Sequence, residues 1–230
     1  MAESVEARAA QSREHSLAES LRGFGPLGLV SFVVILAGNA LFLPLTGILV
    51  LVWARLSRTP WRELGFSRPS RWAATIVAGI VSGVAFKFMM KAVVMPLLGA
   101  DPVNHAYHYL AANRAALPGA IYAMLAAGFG EETFFRGYLF ERIGKRYGAG
   151  GWPRAFAVML TSVFFGVAHL QGQGLAGAQQ ATITGLVFGT VYAITGRIWL
   201  PMLAHAAFDL TALWMIYRNL ETQVAHFIFK

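Results

Sequence analysis

The chain has 230 residues, of which 57% are hydrophobic and 13% are charged, against about 45–50% and about 25% in soluble proteins. The mean hydropathy is +0.54. One soluble core cannot bury that much apolar surface, and a disordered chain would have the opposite composition. The sequence therefore predicts a membrane protein.

The net charge of +8 would also fit a nucleic-acid-binding protein. However, the basic residues lie in short stretches between apolar runs, which favours membrane topology and no nucleic-acid partner. Because the chain has no cysteine, disulfides and thiolate metal sites are excluded.

The order of polar and apolar segments predicts a polar, amphipathic segment over residues 1–23 and a single transmembrane domain over residues 24–230. A membrane-spanning helix needs about 20 apolar residues. The predicted spans are Phe24–Leu56, Trp72–Leu98, Leu117–Phe140, Trp152–Leu170, Ala181–Thr195 and Ile198–Ile216. The first run contains Pro44 and predicts one long, tilted or kinked helix, with a tight hairpin as the alternative. The expected fold is an all-α, polytopic transmembrane bundle of about six spans plus interfacial helices.

Two connecting segments are longer than simple turns. Arg55–Arg71 mixes five arginines with aromatic residues such as Trp61, a pattern typical of a helix lying at the lipid headgroups; a solvated linker is the alternative. The segment Asp101–Leu117 contains His105 and His108. Their i, i+3 spacing would allow a shared metal ion, although two surface histidines are the simpler interpretation.

Three ionisable residues in the run Leu117–Phe140 do not suit a lipid-facing helix. An Asp, Lys or Arg at the centre of a span costs about 2.5–3.5 kcal/mol, whereas each large apolar residue contributes only about 0.3–0.6 kcal/mol. Glu132 and Arg136 are four residues apart, in the order that favours a salt bridge. Glu131 is rotated about 100° away and is predicted to be the less well-paired carboxylate, suited to act as a general base. A charge cluster that only holds helices together is the alternative.

Further ionisable residues follow in two later spans. His169 ends one apolar stretch, and His205 and Asp209 are again four residues apart. In that arrangement Asp209 could orient the imidazole of His205 and fix its tautomer. A single histidine on an apolar face is usually a core residue, but this combination predicts one polar site inside the membrane.

Lys87 and Lys91 share a face of the span Trp72–Leu98. Both are expected to lie in the outer half of the span, with the side chains extending towards water. A catalytic lysine is the less favoured interpretation.

These residues resemble the motifs of a known family. Glu131–Arg136 reads Glu-Glu-Thr-Phe-Phe-Arg, Phe165–His169 reads Phe-Gly-Val-Ala-His, and His205–Asp209 reads His-Ala-Ala-Phe-Asp. They are similar to the EExxxR, FxxxH and HxxxN/D motifs of the CPBP intramembrane proteases, which include CaaX prenyl endopeptidases and bacteriocin-processing, Abi-type proteins. The resemblance covers about residues 117–216; the first 110 residues carry no comparable motif.

The resemblance implies a role for each residue. Glu131 would activate a water molecule as general base, His169 would help to position or deprotonate that water, and Glu132 and Arg136 would support the site. His205 and Asp209 would stabilise the oxyanion or orient the group that does so. Many members of the family have Asn instead of Asp; because an ionised Asp would repel an oxyanion, Asp209 is expected either to be protonated or to act through His205.

A metal-dependent scheme uses the same residues. Glu131, His169 and His205 supply the two His and one Glu that hold zinc in some hydrolases. Since the HExxH spacing of soluble zinc proteases is absent, the metal-free glutamate scheme, with no cofactor, is favoured over zinc.

The expected function is therefore hydrolysis of a peptide bond in a membrane-associated protein or peptide. Of the 19 basic residues only four are Lys, a bias that favours a GC-rich bacterium and so a bacterial plasma membrane. The alternatives are a proton-coupled transporter, in which intramembrane Glu, His and Asp serve as relays, and a catalytically silent membrane scaffold. A transporter is less favoured because the chain shows no paired repeats.

Overall fold

A computed structural model describes residues 14–41 and 44–229 of the chain; residues 1–13 of the predicted N-terminal segment, and Lys230, lie outside the described residues. The described part consists of helices and turns without a β-strand, which confirms the all-α fold class. In chain order the helices are α1 (Glu14–Arg22), α2 (Pro26–Leu41), α3 (Leu45–Leu56), α4 (Trp72–Leu97), α5 (residues 117–147), α6 (Gly151–Thr195), α7 (Trp199–Tyr217) and α8 (Glu221–Ala225).

The first apolar run forms two antiparallel helices, so the prediction of one long kinked helix was wrong. At one end, Trp53 Nε1 of α3 donates a hydrogen bond to the Leu21 carbonyl, 3.2 Å away, just before α2 begins. At the other end Gly38 of α2 packs against the backbone of Thr46 of α3. Pro44 precedes the first residue of α3, where its missing N–H costs no helical hydrogen bond. The run therefore has the hairpin form that was the alternative prediction.

Helix α6 also folds back on itself. Gly174 has φ 67° and ψ −169° and divides α6 into residues 151–173 and 175–195. The two arms are antiparallel, because Gly185 lies against Ser162 and Gly189 lies against Val158. The positive φ is accessible to glycine without a steric penalty. This reversal corresponds to the predicted break between the spans Trp152–Leu170 and Ala181–Thr195.

The prediction of about six spans is not confirmed. Among the described residues three helical stretches, α4, α6 and α7, are long and apolar enough to cross a membrane, and a fourth results if α1 and part of α2 form one span bent by 65°. Helix α3 has only 12 residues, about 18 Å of helix, which is shorter than the roughly 30 Å of a bilayer's hydrocarbon core.

Small residues bring the helices around the site into close contact. A Cβ added to Gly83 of α4 would overlap the Ala204 carbonyl of α7, and one added to Gly128 of α5 would lie 2.9 Å from the Ala206 nitrogen of α7. A Cβ on Gly166 would overlap Thr182 across the two arms of α6. Glycine thus permits close helix packing near the polar residues, and α4–α7 surround the space between them.

The segment Arg55–Arg71 does not form the expected interfacial helix. It contains one 3-10 turn at Trp61–Leu64, bounded by Pro60 and by Gly65 with φ 82°. Leu64 is fully buried, and Ile198 N–H donates to the Gly65 carbonyl at 3.0 Å. Because proline and a left-handed glycine interrupt the helical hydrogen bonds, the segment forms a short turn packed beside the start of α7.

The close contact between the arms of α6 can be tested with a matched pair of substitutions. Gly185→Leu places a side chain 2.9 Å from the Ser162 Cα and should lower the free energy of unfolding by about 1–3 kcal/mol. Gly172→Leu makes the same change where nothing lies within 4 Å of the added Cβ. Thermal unfolding in detergent should show a lower midpoint for Gly185→Leu alone; equal midpoints would contradict the antiparallel packing.

Candidate active site

The carboxylate of Glu132 is the centre of a buried polar network. Its Oε1 accepts hydrogen bonds from Arg136 Nη1 at 2.8 Å and from His205 Nδ1 at 2.7 Å. Arg136 Nη2 also donates to the Gly185 carbonyl of α6 at 3.3 Å. The relative exposures of Glu132, Arg136 and His205 are 0%, 1% and 4%. The predicted salt bridge between Glu132 and Arg136 is present, and the network joins α5, α6 and α7.

The local helix geometry directs these groups inward. A π-helical turn at Thr133–Tyr138 follows Glu132 directly, and all six of its residues are buried. The guanidinium of Arg136 lies 5.1 Å from the ring centre of Phe165, in the range of a cation–π contact. π-helical turns within α-helices frequently occur at functional sites. The apolar ring and the buried carboxylate together shield the guanidinium from lipid.

The Nε2 atom of His205 lies between two further carboxylates. It is 3.7 Å from Glu131 Oε2 and 3.5 Å from Asp209 Oδ2. Both distances are too long for a good direct hydrogen bond, but short enough for a water molecule to contact the imidazole and a carboxylate together. The expectation that Asp209 orients the imidazole was therefore incomplete, because the short hydrogen bond that fixes the ring comes from Glu132.

His169 is held by its own helix. Its Nδ1 lies 2.7 Å from the Phe165 carbonyl oxygen, and because a carbonyl only accepts, the hydrogen must be on Nδ1. In the neutral ring Nε2 is then a hydrogen-bond acceptor. The Phe165 ring packs edge-on against His169, with ring centres 4.5 Å apart, which further restricts the imidazole.

A cavity of about 460 Å³ brings four of the predicted site residues together. Glu131, His169, His205 and Asp209 line it, whereas Glu132 and Arg136 lie behind its wall. The side chain of Glu131 is 14% exposed. The two adjacent glutamates therefore occupy different positions: one carboxylate faces the cavity and the other is fully enclosed.

Sequence reasoning assigned the wrong environment to two lysines. Lys87 and Lys91 are 5% and 8% exposed, so neither side chain extends towards bulk water, and Lys87 lines the cavity beside Asp209. The sequence did contain a signal for this orientation. Gly79 and Gly83, which pack against α7, precede Lys87 at intervals of four residues and so mark the same helix face.

Tyr107 is a second residue of the cavity for which no role was predicted. Gln173 Nε2 donates to the Tyr107 hydroxyl at 3.2 Å, and burial, followed by the negative charges of Asp209 and Glu131, raises the pKa of that hydroxyl. The phenol therefore remains protonated near neutral pH and can donate a hydrogen bond into the cavity.

The residues do not form a three-ligand metal site as they are placed. No group of three His, Asp or Glu side chains within residues 14–41 and 44–229 is close enough to hold one ion. The set considered for zinc does not meet this condition either: Glu131, His169 and His205. The same is true of His105, which instead pairs with Asp101 at 3.1 Å on the surface, and of the exposed His108.

Comparison with known proteins supports the resemblance seen in the motifs. Residues 113–211 match the family model described as type II CAAX prenyl endopeptidase Rce1-like, and this range contains all six predicted site residues. The match confirms the resemblance to the CPBP, or CaaX protease, family over the region that carries the motifs. The match supports a CaaX-type peptidase that is integral to a membrane.

Beyond the family, one similar curated protein is an uncharacterized 24.3 kDa protein from Escherichia coli. It is 27% identical over 148 residues, which represent 59% of this chain and 66% of that protein. The chain thus spans slightly less than two thirds of the relative's length. No solved structure matches the chain.

The hydrogen bonds of Glu132 predict how substitutions at Arg136 and Glu132 change the free energy of unfolding. Arg136→Met would leave Glu132 charged and enclosed, and loss of one partner of a buried ion pair costs about 3–5 kcal/mol. The double variant Arg136→Met with Glu132→Gln, which also removes the charge, should recover part of that loss. Thermal unfolding in detergent measures both; an unfolding midpoint for Arg136→Met equal to that of the wild type would contradict a structural role of the pair.

Proposed function

We propose that the protein is an intramembrane endopeptidase that hydrolyses a peptide bond of a membrane-associated protein or peptide. The observation that carries the proposal is the position of Glu131, whose carboxylate lines a cavity between the helices and lies 3.7 Å from His205 Nε2. A site within a bilayer must provide a base, a water position and a group that stabilises the oxyanion, because hydrocarbon provides none of them. Side chains suited to all three functions line this cavity.

In the proposed reaction Glu131 accepts a proton from a water molecule, and the water oxygen attacks the carbonyl carbon of the scissile bond. The tetrahedral intermediate then breaks the C–N bond, and Glu131 returns the proton to the leaving amine. His169, with its hydrogen fixed on Nδ1, accepts a hydrogen bond from the water through Nε2 and so orients it. The reaction needs no group beyond the chain's own residues and water.

His205 is suited to stabilise the oxyanion. Because Glu132 accepts the hydrogen on Nδ1 at 2.7 Å, the other ring nitrogen, Nε2, faces the cavity. With a hydrogen on Nε2 the imidazole can donate to the developing negative charge. Asp209, at 3.5 Å from the same nitrogen, acts through His205 by attracting that hydrogen and does not contact the oxyanion itself.

We propose a peptide or protein anchored in a bacterial plasma membrane as the substrate, and no nucleic-acid partner. The cavity of about 460 Å³ between the helices can accommodate a segment of a peptide. Proton-coupled transport and a silent scaffold remain the alternatives; both would leave peptide substrates intact.

Removal of the proposed base tests the function directly. Glu131→Gln keeps the size of the side chain but removes its basicity, and cleavage of a membrane-tethered peptide library in proteoliposomes should fall by about 10²–10⁴-fold. Glu19→Gln makes the same change at an exposed position in α1 and should cleave at the wild-type rate. Circular dichroism should show equal helical content in all three proteins. Wild-type activity in Glu131→Gln would refute the mechanism, and an inactive wild type would favour the alternatives.

Metal dependence is a separate question with a separate test. In the metal-free scheme a strong chelator leaves the cleavage rate unchanged, and later addition of zinc does not raise it. If the chelator abolishes cleavage and zinc restores it, then Glu131, His169 and His205 must move together to bind the ion, and the glutamate scheme is wrong. Metal analysis of the purified protein provides the control.

A further inference from the structure

A second cavity of about 480 Å³ adjoins the first. It lies among the C-terminal part of α4, the loop that follows, the turn of α6 around Gly174, and α8. Lys91 and Glu221 line it and form an ion pair of 3.1 Å across it, with side chains only 10% and 8% exposed. None of the proposed reaction steps uses this cavity.

The two cavities share a polar wall. Four polar residues line both of them: Lys87, Asn104, Gln173 and Gln180. Lys87 Nζ donates to Gln180 Oε1 at 3.0 Å. Gly177, Ala212 and Ile216 complete the shared lining. The ammonium and amide groups of the wall can exchange hydrogen bonds with water, whereas a fully apolar wall would keep the cavities dry.

The ammonium of Lys87 requires hydrogen-bond acceptors that the described protein groups do not supply. It has three N–H donors, and the hydrogen bond to Gln180 is the one observed for it within the described residues. Within the described residues Lys87 forms no ion pair, and its exposure is 5%. Its Nζ also contacts the face of the Phe208 ring, 4.7 Å from the ring centre. Because burying an N–H donor without an acceptor is unfavourable, the donors beyond these two contacts favour a hydrated wall.

The outer end of the second cavity reaches water. Asp101 and His105 line it, and their side chains are 58% and 73% exposed. The backbone N–H of Val103, at 2.7 Å, and then the His105 side chain lower the pKa of Asp101, so this carboxylate stays ionised and hydrated. Asn104 N–H donates to Glu221 Oε1 at 3.0 Å and so fixes the loop at the edge of the opening.

We propose that the second cavity is an aqueous vestibule that delivers hydrolytic water to Glu131 across the wall of Lys87, Asn104, Gln173 and Gln180 while the peptide occupies the first cavity. The proposal rests on the proposed function, since peptide hydrolysis consumes one water molecule for each bond. That water's oxygen joins the carbonyl carbon, and the proton taken by Glu131 leaves on the amine. A separate inlet solves a geometrical problem, because a bound peptide blocks the mouth through which it entered.

Thiol labelling tests whether the vestibule is wet, and the absence of native cysteine removes any background. Ala176→Cys introduces a thiol that lines only the second cavity, and Ala123→Cys introduces one that lines only the first. In proteoliposomes a small, charged methanethiosulfonate reagent should modify the Ala176→Cys thiol rapidly. Val77→Cys, at a 60% exposed position on the apolar outer face of α4, should react at least about tenfold more slowly, because hydrocarbon excludes the charged reagent. Equal rates would overturn the proposal.

A large side chain placed in the wall between the two cavities, here called the plug, tests whether the vestibule supplies water to the reaction. Ala212 lines both cavities, so Ala212→Phe should lower kcat at least about tenfold, since water delivery is lost. The smaller Ala212→Val should give an intermediate effect. Leu210→Phe enlarges the same helix on its other side, in an apolar groove, and should retain the wild-type kcat. An unchanged kcat in Ala212→Phe, or a rise in KM alone, would overturn the proposal.

Labelling also separates this inference from the proposed function. With a peptide bound in the first cavity, Ala212→Phe should slow the modification of the Ala123→Cys thiol but not that of the Ala176→Cys thiol. This measurement needs no cleavage. If the wild type cleaves no peptide but the plug still slows labelling, the function is wrong and the vestibule stands; if the plug has no effect on labelling, the vestibule is wrong.

Discussion

The hydrogen bonds to Glu132 Oε1 constrain the rest of the site. One oxygen accepts from Arg136 of the same helix at 2.8 Å and from His205 of α7 at 2.7 Å, and Arg136 continues the network to the Gly185 carbonyl of α6. In a medium of low dielectric constant such contacts are strong, and leaving any member unpaired is costly. The three helices must therefore keep one relative arrangement, and small residues such as Gly128 provide the close approach that it requires.

The same constraint gives two adjacent carboxylates different chemistry. Glu132 is fully enclosed and paired, whereas Glu131 faces the cavity with 14% of its side chain exposed. Because His205 uses Nδ1 for Glu132, its Nε2 is directed towards Glu131 and Asp209. Lys87 adds a cation to the lining of the same cavity, beside Asp209, so a positive group accompanies the two carboxylates that line it. Charges buried in a membrane protein are tolerated when they compensate one another around a water-filled space.

Contacts between distant parts of the chain account for what the sequence did not predict. The turn at Pro44 was ambiguous because the run Phe24–Leu56 has a length between one span and two, and the hydrogen bond from Trp53 to Leu21 leaves no pattern in the sequence. The orientation of Lys87 depends on which face of α4 meets α7. Likewise, the sequence offered Asp209 as the neighbour of His205 at i, i+4, but the shorter hydrogen bond comes from a helix 73 residues away.

The sequence by itself determined the membrane environment, the all-α class, the close spacing of Glu132 and Arg136, and the resemblance to the CaaX proteases. The first three follow from composition and from helical periodicity, and the resemblance follows from three short motifs. Only the tertiary structure decided that the first apolar run is a hairpin, that Glu132 rather than Asp209 fixes His205, and that a second polar cavity adjoins the first. Each of these depends on how separate helices pack, and packing is set by shape and by hydrogen bonds between residues that are far apart in the chain.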